Sequence, residues 1–308
     1  MEQSPVFIVI GPPPGGEETA DRIRALVSGE PRLDMRRARW LAPDEACEID
    51  MQVDLGEAIA IRDRLAPFAE SHGLDIAVVP SAQRRKRLLI SDMDSTIIGQ
   101  ECIDEMAALV GRKPEVAAVT ERAMRGDLAF EAALEARLAL LAGLTTADLE
   151  RVWRERITLI PGAGMLVATM KANGAVTALV SGGFTFFTSR VARAAGFEIN
   201  RANTLEMAGG AMTGRVVPPI LGREAKRETL DRLIAEHSIP AEATLAVGDG
   251  ANDLAMIRRA GLGVAFRAKP IVAAEAHASI RHGDLTALLY LQGYRKEEFA
   301  VARAPDEG

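Results

Sequence analysis

Apolar and polar residues follow one pattern up to about residue 82 and a different one from Leu88 onward. In the first part, two stretches have the apolar spacing of amphipathic helices and four others read as strands. The predicted strands are 6–10, 37–41, 47–53 and 75–79, and the predicted helices are 17–27 and 58–70. This order, β-α-β-β-α-β, is that of a ferredoxin-like α+β domain. Pro67 is expected to kink the second helix or to end it early.

The first domain, placed at residues 1–82, resembles ACT-type regulatory modules in its order of elements. The resemblance leaves open whether the domain binds serine or another regulator, and it adds the expectation of a homodimer formed through this domain. A basic run, Arg84 to Arg87, follows it. A solvated linker is the prediction for such a charge run, with a phosphate-binding patch as the alternative.

From Leu88 onward, in a second domain placed at residues 83–308, apolar strands alternate with helices. After the strand that begins at Leu88, further strands are predicted at 176–180, 244–247 and 262–266. Helices are predicted at 164–172, 184–195, 223–236 and 254–260. Such alternation predicts an α/β domain whose parallel sheet is covered by helices on both faces. Two further stretches, 204–207 and 211–217, predict a β-hairpin that turns at Gly209-Gly210.

Residues 100–158 form a long insert with helical patterning between the first two strands of this sheet. Its last helix is expected to begin at a capping box, for which Thr145 and Asp148 have the required spacing. An insert that directly follows a strand of a parallel sheet lies over the carboxyl edge of that sheet, where ligands bind in such folds. We therefore predict that the insert is a lid.

Composition argues against several classes of function. The net charge is −6, so the clustered basic face that nucleic-acid binding requires is not expected. Neither a signal peptide nor an apolar run of membrane-spanning length is visible, so no membrane partner is expected and the expected location is cytoplasmic. The two cysteines, Cys47 and Cys102, are too few for a disulfide framework or a cysteine-rich metal site.

Two aspartates, Asp92 and Asp94, follow the first strand of the second domain. Carboxylates this close repel each other, and in a semi-buried site one of them is normally protonated unless a cation is near. A hard, oxygen-seeking ion such as Mg²⁺ suits carboxylates and phosphate together. An Asp-x-Asp pair alone is often only turn chemistry, but a strand that ends in the run Asp92 to Thr96 is a much stronger indication of a metal-dependent site.

Polar residues also follow the later strands. Ser181 and two glycines come after Val180 and are expected to open a helix, where a hydroxyl and free backbone N–H groups form an anion site. The alternative for Ser181 is an ordinary N-cap. Asp249 and Asp253 suit metal binding better than a tight turn, the alternative there. Lys226 alone reads as a solvated helix residue, but a phosphate and several carboxylates need a fixed positive charge nearby.

Together these clusters resemble the four motifs of the haloacid dehalogenase superfamily of phosphotransferases, and within it the chain from about Leu88 is similar to the phosphoserine phosphatase family. The resemblance implies Mg²⁺-dependent hydrolysis of O-phospho-L-serine to L-serine and phosphate, the last step of serine biosynthesis, through an aspartyl-phosphate. It assigns Asp92 as the nucleophile, Asp94 as the general acid and base, and Lys226 and Ser181 as further catalytic residues. The implied Mg²⁺ ligands are the side chains of Asp92 and Asp249 and the backbone carbonyl of Asp94, with Asp253 behind them.

The same resemblance assigns the substrate contacts. Glu101 is the expected partner of the substrate ammonium group and Arg137 that of its carboxylate, which the planar guanidinium fits in a bidentate manner. Phe130 is expected to close over the site. The remaining predicted contacts are Met124, Ser181, Gly182, Lys226 and Asn252. Taken alone, Phe130 reads more readily as a core residue and Arg137 as a surface residue of a helix.

Two alternative functions stay open at this point. Another phosphatase or phosphotransferase of the same superfamily would keep every core motif, so only a panel of substrates separates it from a phosphoserine hydrolase. A non-enzymatic phospho-receiver or metal-binding regulator would need neither the second carboxylate nor a substrate-shaped insert. A dinucleotide-dependent oxidoreductase is disfavoured because no Gly-x-Gly-x-x-Gly follows the first strand.

Overall fold

The computed structural model describes residues 4–125, 127–222 and 224–301, apart from the side chain of Met124. Its first unit contains the elements β1 (Pro5–Ile10), α1 (Glu17–Ser28), β2 (Ala38–Ala42), β3 (Ala46–Asp50), α2 (Leu55–Ser71) and β4 (Asp75–Pro80), with a 3₁₀ turn at Met35–Arg37. The four strands form an antiparallel sheet in the order β2-β3-β1-β4. The predicted ferredoxin-like arrangement is therefore confirmed, whereas the boundary at residue 82 and the likeness to ACT modules stay predictions.

Helix α2 is longer than its pattern predicts. It begins after Asp54, whose side chain accepts a hydrogen bond from the backbone N–H of Glu57 at 2.8 Å. Pro67 lies inside the helix, which continues to Ser71, so the expectation that this proline ends the helix early is wrong. A proline removes one backbone hydrogen bond, and the burial of Ala58 and Ile61 against the sheet offsets that loss.

Strand β1 is buried on both of its faces. Phe7 and Val9 pack with the two helices of this domain, in one apolar cluster. Val6, Ile8 and Ile10 point the other way and belong to the large apolar cluster of the second domain, which includes Tyr290. The unbroken apolar run of β1 therefore reflects a sheet that is covered on both faces. A homodimer through this domain stays a prediction, but this sheet face is not available for it.

The basic run between the two domains is solvated only in part: Arg85 and Arg87 are exposed, whereas the prediction of a solvated linker is wrong for Arg84 and Lys86. Arg84 is largely buried: its guanidinium contacts the buried carboxylate of Glu48 at 2.7 Å and the carbonyl oxygen of Leu291 at 3.4 Å. Arg85 forms an ion pair with Glu298 at 2.6 Å, and the ammonium group of Lys86 donates to the carbonyl oxygen of Glu242 at 2.7 Å. The run therefore joins the domains through carboxylates and carbonyls rather than offering a phosphate site.

The second domain is built on a seven-stranded sheet. Its strands are β5 (Leu88–Ser91), β6 (Val176–Phe184), β7 (Ile199–Ala208), β8 (Ala211–Val217), β9 (Thr244–Gly248), β10 (Leu262–Phe266) and β11 (Ala278–Ile280). They lie in the order β11-β10-β9-β5-β6-β7-β8, and all neighbours are parallel except β7 and β8. The predicted parallel sheet and the hairpin are therefore confirmed. Strand β5 lies at the centre, between β6 and β9, where its four residues are fully buried.

Helices cover the sheet and form the insert. The insert contains α3 (Cys102–Leu109), α4 (Lys113–Met124), α5 (Phe130–Ala139) and α6 (Thr146–Arg156). The helices that cover the sheet are α7 (Ala163–Ala172), α8 (Thr185–Ala195), α9 (Ala225–Glu236), α10 (Leu254–Arg259), α11 (Pro270–Ala273) and α12 (Ala287–Leu291), with 3₁₀ turns at Ala241–Ala243, Ala251–Asp253 and Lys296–Glu298. Within the described ranges, no helix is both long and apolar enough to cross a membrane. Strand β11 and helix α12 were not predicted, because each is only a few residues long.

The insert, which we call the cap, is tied to the core on two sides. The predicted capping box is confirmed: the hydroxyl of Thr145 accepts from the N–H of Asp148, whose carboxylate accepts from the N–H of Thr145. Next to it, the cap pairs with the tip of the hairpin, where Met212 donates to the carbonyl oxygen of Leu144 at 2.8 Å. At its other end, Ile98 and Leu159 form an antiparallel bridge between the segments that enter and leave the cap.

We predict that Arg84→Ala lowers the free energy of unfolding by about 2–4 kcal/mol, because it leaves the buried Glu48 carboxylate without its buried partner. Denaturant unfolding of the full chain measures this loss. Arg232→Ala is the matched control, since Arg232 pairs with Glu236 on an exposed helix face and such pairs contribute about 0–1 kcal/mol. Equal losses in the two variants would show that the basic run does not join the domains.

Candidate active site

The loop that follows β5 holds two carboxylates on one side because Met93, between them, is buried in the core. The carbonyl oxygen of Met93 accepts the backbone N–H groups of Thr96, Ile97 and Ile98 at 2.8–3.3 Å, so the loop is a compact turn. Asp92 and Asp94 flank this anchored residue and face the carboxyl edge of the sheet. One oxygen of Asp92, Oδ1, accepts the backbone N–H of Met93 at 2.7 Å. Within the described part of the chain, Oδ2 accepts no hydrogen bond.

Asp94 is held by donors from two different elements. Its Oδ1 accepts the backbone N–H of Cys102, in the first turn of α3, at 3.0 Å. Its Oδ2 accepts the hydroxyl of Ser181, on β6, at 3.2 Å. Burial raises the pKa of Asp94, and these donors oppose the rise. The carboxyl group is therefore fixed in position, and its raised pKa makes it a weaker acid than a free aspartate.

Ser181 does not open a helix, contrary to the prediction. Strand β6 continues to Phe184, its register with β7 is irregular between Val180 and Phe184, and α8 begins only at Thr185. The strand continues because Phe184 pairs with Asn203 on β7 and is buried in the core. The anion site expected here therefore consists of an irregular strand segment, in which the N–H of Gly183 donates to the Ser181 hydroxyl at 2.8 Å.

Lys226 lies at the centre of the buried charges rather than on a solvated helix face. Its ammonium group contacts Oδ1 of Asp92 at 2.7 Å and Oδ1 of Asp253 at 2.5 Å. Only about 4% of the lysine and none of Asp253 is exposed, so this helix residue is carried into the core at the first turn of α9. Burial lowers the pKa of Lys226, but the two carboxylates outweigh that effect and raise it, which keeps the lysine charged.

Among the described residues, Asp92, Asp249 and Asp253 form an acidic group that could hold a metal ion, with ligand oxygens within 4.8 Å of one another. The two oxygens of Asp253 are already engaged: Oδ1 by Lys226, and Oδ2 by the backbone N–H groups of Asp249 and Gly250 at 3.1 and 2.9 Å. Among the described residues, the side chain of Asp249 accepts the hydroxyl of Thr96 at 3.3 Å. Asp253 is thus placed to position the loop behind Asp249, and Asp92 and Asp249 have oxygens left for an ion.

Electrostatics of the same group favour a bound cation. Burial, followed by the negative charge of Asp253, raises the pKa of Asp92 well above its ordinary value. The same two causes raise the pKa of Asp249 to about 6. One lysine does not neutralise three carboxylates, so a divalent ion with oxygen ligands would relieve the excess negative charge. The donor set therefore fits a hard cation.

A cavity beside these charges brings together several residues of the predicted substrate site. It is lined by Phe130, Val180, Ser181, Gly182, Leu221, Gly222, Ala225, Lys226 and Asn252. Phe130, at the start of α5, closes it from the cap: an added Cβ on Gly182 would lie 3.5 Å from the phenyl ring. Cap and core thus meet over Lys226.

Glu101 and Arg137 lie in the cap beside this cavity and do not line it. Glu101 retains solvent contact and accepts the hydroxyl of Ser95 at 2.7 Å. Partial desolvation by the surrounding protein is the largest cause that raises the pKa of Glu101, to about 7, and the negative charge of Asp94 is the second. Arg137 is half-buried, and its Nε donates to the carbonyl oxygen of Ala133 at 3.2 Å. Burial lowers the pKa of its guanidinium, and the negative charges of Asp104 and Glu101 oppose that shift. The side chain of Met124, also predicted here, lies outside the described part of the chain.

Sequence reasoning missed Asn203, which connects two walls of the cavity. This β7 residue is about 1% exposed. Its amide group donates to the carbonyl oxygen of Gly182 at 2.8 Å and accepts the N–H of Leu221 at 2.7 Å. An asparagine inside a strand is unusual, and that was the available signal. Asn203 therefore fixes the distance between the Ser181-Gly182 segment and the loop before α9.

Comparison with known proteins agrees with this arrangement. Residues 89–258 match the family of haloacid dehalogenase-like hydrolases. The phosphoserine phosphatase of Streptomyces coelicolor is 41% identical over 296 residues, which cover 96% of this chain and 72% of that protein. The unliganded structure of a probable phosphoserine phosphatase from Vibrio cholerae has a TM-score of 0.76 at 32% identity, over 95% of this chain and 88% of that one. A phospho-aspartyl intermediate analogue of phosphoserine phosphatase has a TM-score of 0.62 at 39% identity, over 67% of this chain and 98% of that one.

The family match covers more than half of the chain and contains the strands that carry Asp92, Ser181 and Asp249. The protein therefore belongs to the haloacid dehalogenase-like hydrolases, and within them to the phosphoserine phosphatase family. The expected fold, a parallel sheet of this family with a helical cap and an added α+β domain, is confirmed.

We predict that Mg²⁺ raises the melting temperature more at about pH 7.5 than at about pH 5.5, because carboxylate ligands bind metal only when ionised. In the metal-free protein the pKa of Asp249 is raised to about 6. The folded state therefore holds a proton that the unfolded state releases near pH 4, and stability falls as pH rises through that interval. Thermal melts with and without Mg²⁺ measure both effects. Asp249→Asn removes one of the two free carboxylates and should greatly reduce the Mg²⁺ effect at both pH values, and an undiminished effect would contradict the assignment.

Proposed function

We propose that this protein hydrolyses O-phospho-L-serine to L-serine and inorganic phosphate, with Asp92 as the nucleophile. The observation that carries the proposal is the buried pair of Asp92 with Lys226, set beside Asp94 and beneath a cap that bears Glu101 and Arg137. A phosphate acceptor without turnover would not need a second carboxylate held by Ser181 and Cys102. Membership of the phosphoserine phosphatase family supports the same substrate.

Mg²⁺ is the proposed metal, because Asp92 and Asp249 offer carboxylate oxygens and the reaction requires a hard cation that tolerates phosphate. The backbone carbonyl of Asp94 is the proposed third protein ligand, and Asp253 positions the loop of Asp249. When bound, the ion would neutralise charge on the phosphoryl oxygens and hold them in line with the nucleophile.

In the first step, a carboxylate oxygen of Asp92 attacks phosphorus and the bond to the serine oxygen breaks. A phosphorus–oxygen bond to Asp92 forms as the ester bond is lost, and Asp94 gives its proton to the departing oxygen. The raised pKa of Asp94 supports this role, since an acid must be protonated at the start. Lys226 and the Ser181 segment hold the phosphoryl oxygens, and positioning of this kind dominates phosphoryl transfer.

In the second step, water attacks the aspartyl-phosphate. Asp94, now ionised, takes a proton from this water, the bond between Asp92 and phosphorus breaks, and inorganic phosphate leaves. Asp94 thereby regains its proton and Asp92 its free carboxylate, so both residues return to their starting state. Asp94 acts first as an acid and then as a base because the first step releases an alcohol, which needs a proton, and the second step consumes water, which loses one.

Substrate choice is assigned to the cap. Glu101 is proposed to bind the ammonium group of phosphoserine and Arg137 its carboxylate, and Phe130 encloses the substrate from above. Met124, Gly182, Asn252 and Lys226 are proposed to complete the contacts. The effect of the Glu101 charge on Arg137 supports the assignment, because opposite charges on one cap are complementary to a zwitterion.

Asp92→Asn should abolish phosphate release from O-phospho-L-serine in the presence of Mg²⁺, because the carboxamide is not a nucleophile and removes one charge from the metal site. Steady-state phosphate release measures this. Asp21→Asn, on the exposed face of helix α1 in the N-terminal domain, is the matched control and should keep activity within about threefold, because it removes only a distant, solvent-exposed charge. Substantial turnover in Asp92→Asn would contradict the covalent mechanism.

Arg137→Ala should lower kcat/KM for O-phospho-L-serine by about 10- to 100-fold, the cost of one charged hydrogen-bonded contact. Hydrolysis of p-nitrophenyl phosphate, which has no carboxylate, should change little. Arg122→Ala, an exposed substitution on helix α4 of the same cap, serves as the control. If Arg137→Ala slows both substrates equally, its proposed contact with the carboxylate is wrong, although the phosphatase reaction itself would stand.

A further inference from the structure

The N-terminal domain grips a loop of the second domain through one buried carboxylate. Asp75, the first residue of β4, is about 4% exposed. Its Oδ1 accepts the backbone N–H of Arg281 at 2.8 Å, its Oδ2 accepts that of Gly283 at 2.8 Å, and the N–H of His282 lies 3.2–3.3 Å from both oxygens. Three consecutive amides thus converge on one side chain from a domain some two hundred residues away in the sequence.

Packing alone does not hold this end of the domain interface. A cleft of about 620 Å³ opens beside Asp75, between α2 and β4 on one side and residues 270–281 on the other. Arg281 and His282 also contact the carboxylate of Glu70 across it, at 3.2 and 3.6 Å, but this carboxylate is solvent-exposed, and exposed pairs contribute little. The contacts of Asp75 are therefore the main polar attachment of the loop to the N-terminal domain here.

The gripped loop, residues 281–286, supports the place where the chain leaves the cap. The N–H of Leu285 donates to the carbonyl oxygen of Pro161 at 3.2 Å. Gly162, which has a φ of +84° and precedes α7, lies so close to the loop that an added Cβ would be 2.7 Å from the backbone nitrogen of Thr286. Asp284 fixes the loop from inside, accepting the N–H and the hydroxyl of Thr286 at 2.8 and 2.5 Å.

We call residues 158–161, where the chain leaves the cap, the exit hinge. This hinge is hydrogen-bonded to the loop that follows β5 and contains Asp92 and Asp94. The N–H of Ile160 donates to the carbonyl oxygen of Ile97 at 2.9 Å, and the N–H of Ile97 donates to the carbonyl oxygen of Met93 at 2.8 Å. Met93 separates Asp92 from Asp94. A continuous series of hydrogen-bonded segments therefore runs from Asp75 through the gripped loop and the exit hinge to the two carboxylates.

From this series we infer that Asp75 is a positioning residue: through the gripped loop, the N-terminal domain holds the exit hinge in the conformation that keeps the cap closed over the active site. The expected change in KM rests on the proposed function, whereas the expected change in the mobility of the exit hinge does not. With the grip lost, a larger share of molecules has an open cap. Apparent substrate affinity falls in proportion to the closed share, while chemistry within the closed state is unchanged.

Amide hydrogen exchange tests the structural consequence in the full chain. Asp75→Asn replaces one acceptor oxygen with an NH₂ group that faces the loop amides. Exchange should become faster by about fivefold or more both at 281–286 and at 157–162, since local opening sets the exchange rate. Tyr290→Phe is the matched control: it removes a buried hydrogen bond to Glu45 across the same domain interface but not at the hinge, and it should leave exchange at 157–162 unchanged.

Kinetics with O-phospho-L-serine test the functional consequence. Asp75→Asn should raise KM by about threefold or more with kcat within about twofold, whereas a variant that merely loses folded enzyme lowers kcat at constant KM. Asp284→Ala removes the oxygen that accepts both hydrogen bonds from Thr286 and does not touch the N-terminal domain. It should reproduce both effects, and it keeps the test available if Asp75→Asn fails to fold.

Faster exchange at 281–286 with unchanged exchange at 157–162 would overturn the inference, as would equal hinge exchange in Asp75→Asn and Tyr290→Phe. A raised KM in Asp75→Asn that Tyr290→Phe matches would overturn it as well. If the wild-type protein did not hydrolyse phosphoserine, the proposed function would fail while the exchange experiment still decided whether Asp75 holds the hinge.

Discussion

The contact of one buried lysine with two buried carboxylates is the interaction on which the rest of this structure depends. Lys226 joins Asp92, at the end of the central strand, to Asp253, at the start of α10. Charges removed from water are stable only when paired, so β5, β9 and the first turn of α9 must meet at one point. Gly248 permits this meeting, because a Cβ there would lie 2.4 Å from the Asp253 carboxyl group.

The same constraint explains why the cluster favours a cation and why the cap covers it. Three carboxylates with one lysine leave an excess of negative charge at a largely buried place. Such a site attracts a divalent ion and, with it, a phosphate. The cap begins and ends beside these charges, since Ile97 is hydrogen-bonded both to Ile160 and to Met93, which lies between Asp92 and Asp94. The catalytic carboxylates and the two ends of the cap are therefore attached to the same short stretch of backbone.

Much of this was accessible from the sequence because the patterns involved are local. Apolar runs that end in acidic residues predict strands whose carboxyl ends bear functional groups, and in a parallel sheet these ends lie along one edge. Strands β5, β9 and β10, the capping box at Thr145 and the ferredoxin-like order of the first domain follow from periodicity within a few residues. Residues that are adjacent in these motifs, such as Asp92 and Asp94, are necessarily close in space.

The sequence by itself thus determined most of the longer elements, the class of fold and the residues at the sheet edge. Only the tertiary structure decided that the Arg84 side chain is largely buried, that β6 continues past Ser181, that Asn203 spans the cavity and that Asp75 binds the loop before α12. The physical reason is common to all four. Each depends on a partner brought near by the packing of separate elements, in two cases some two hundred residues along the chain, and no periodicity in the sequence encodes which distant group satisfies a buried charge or amide.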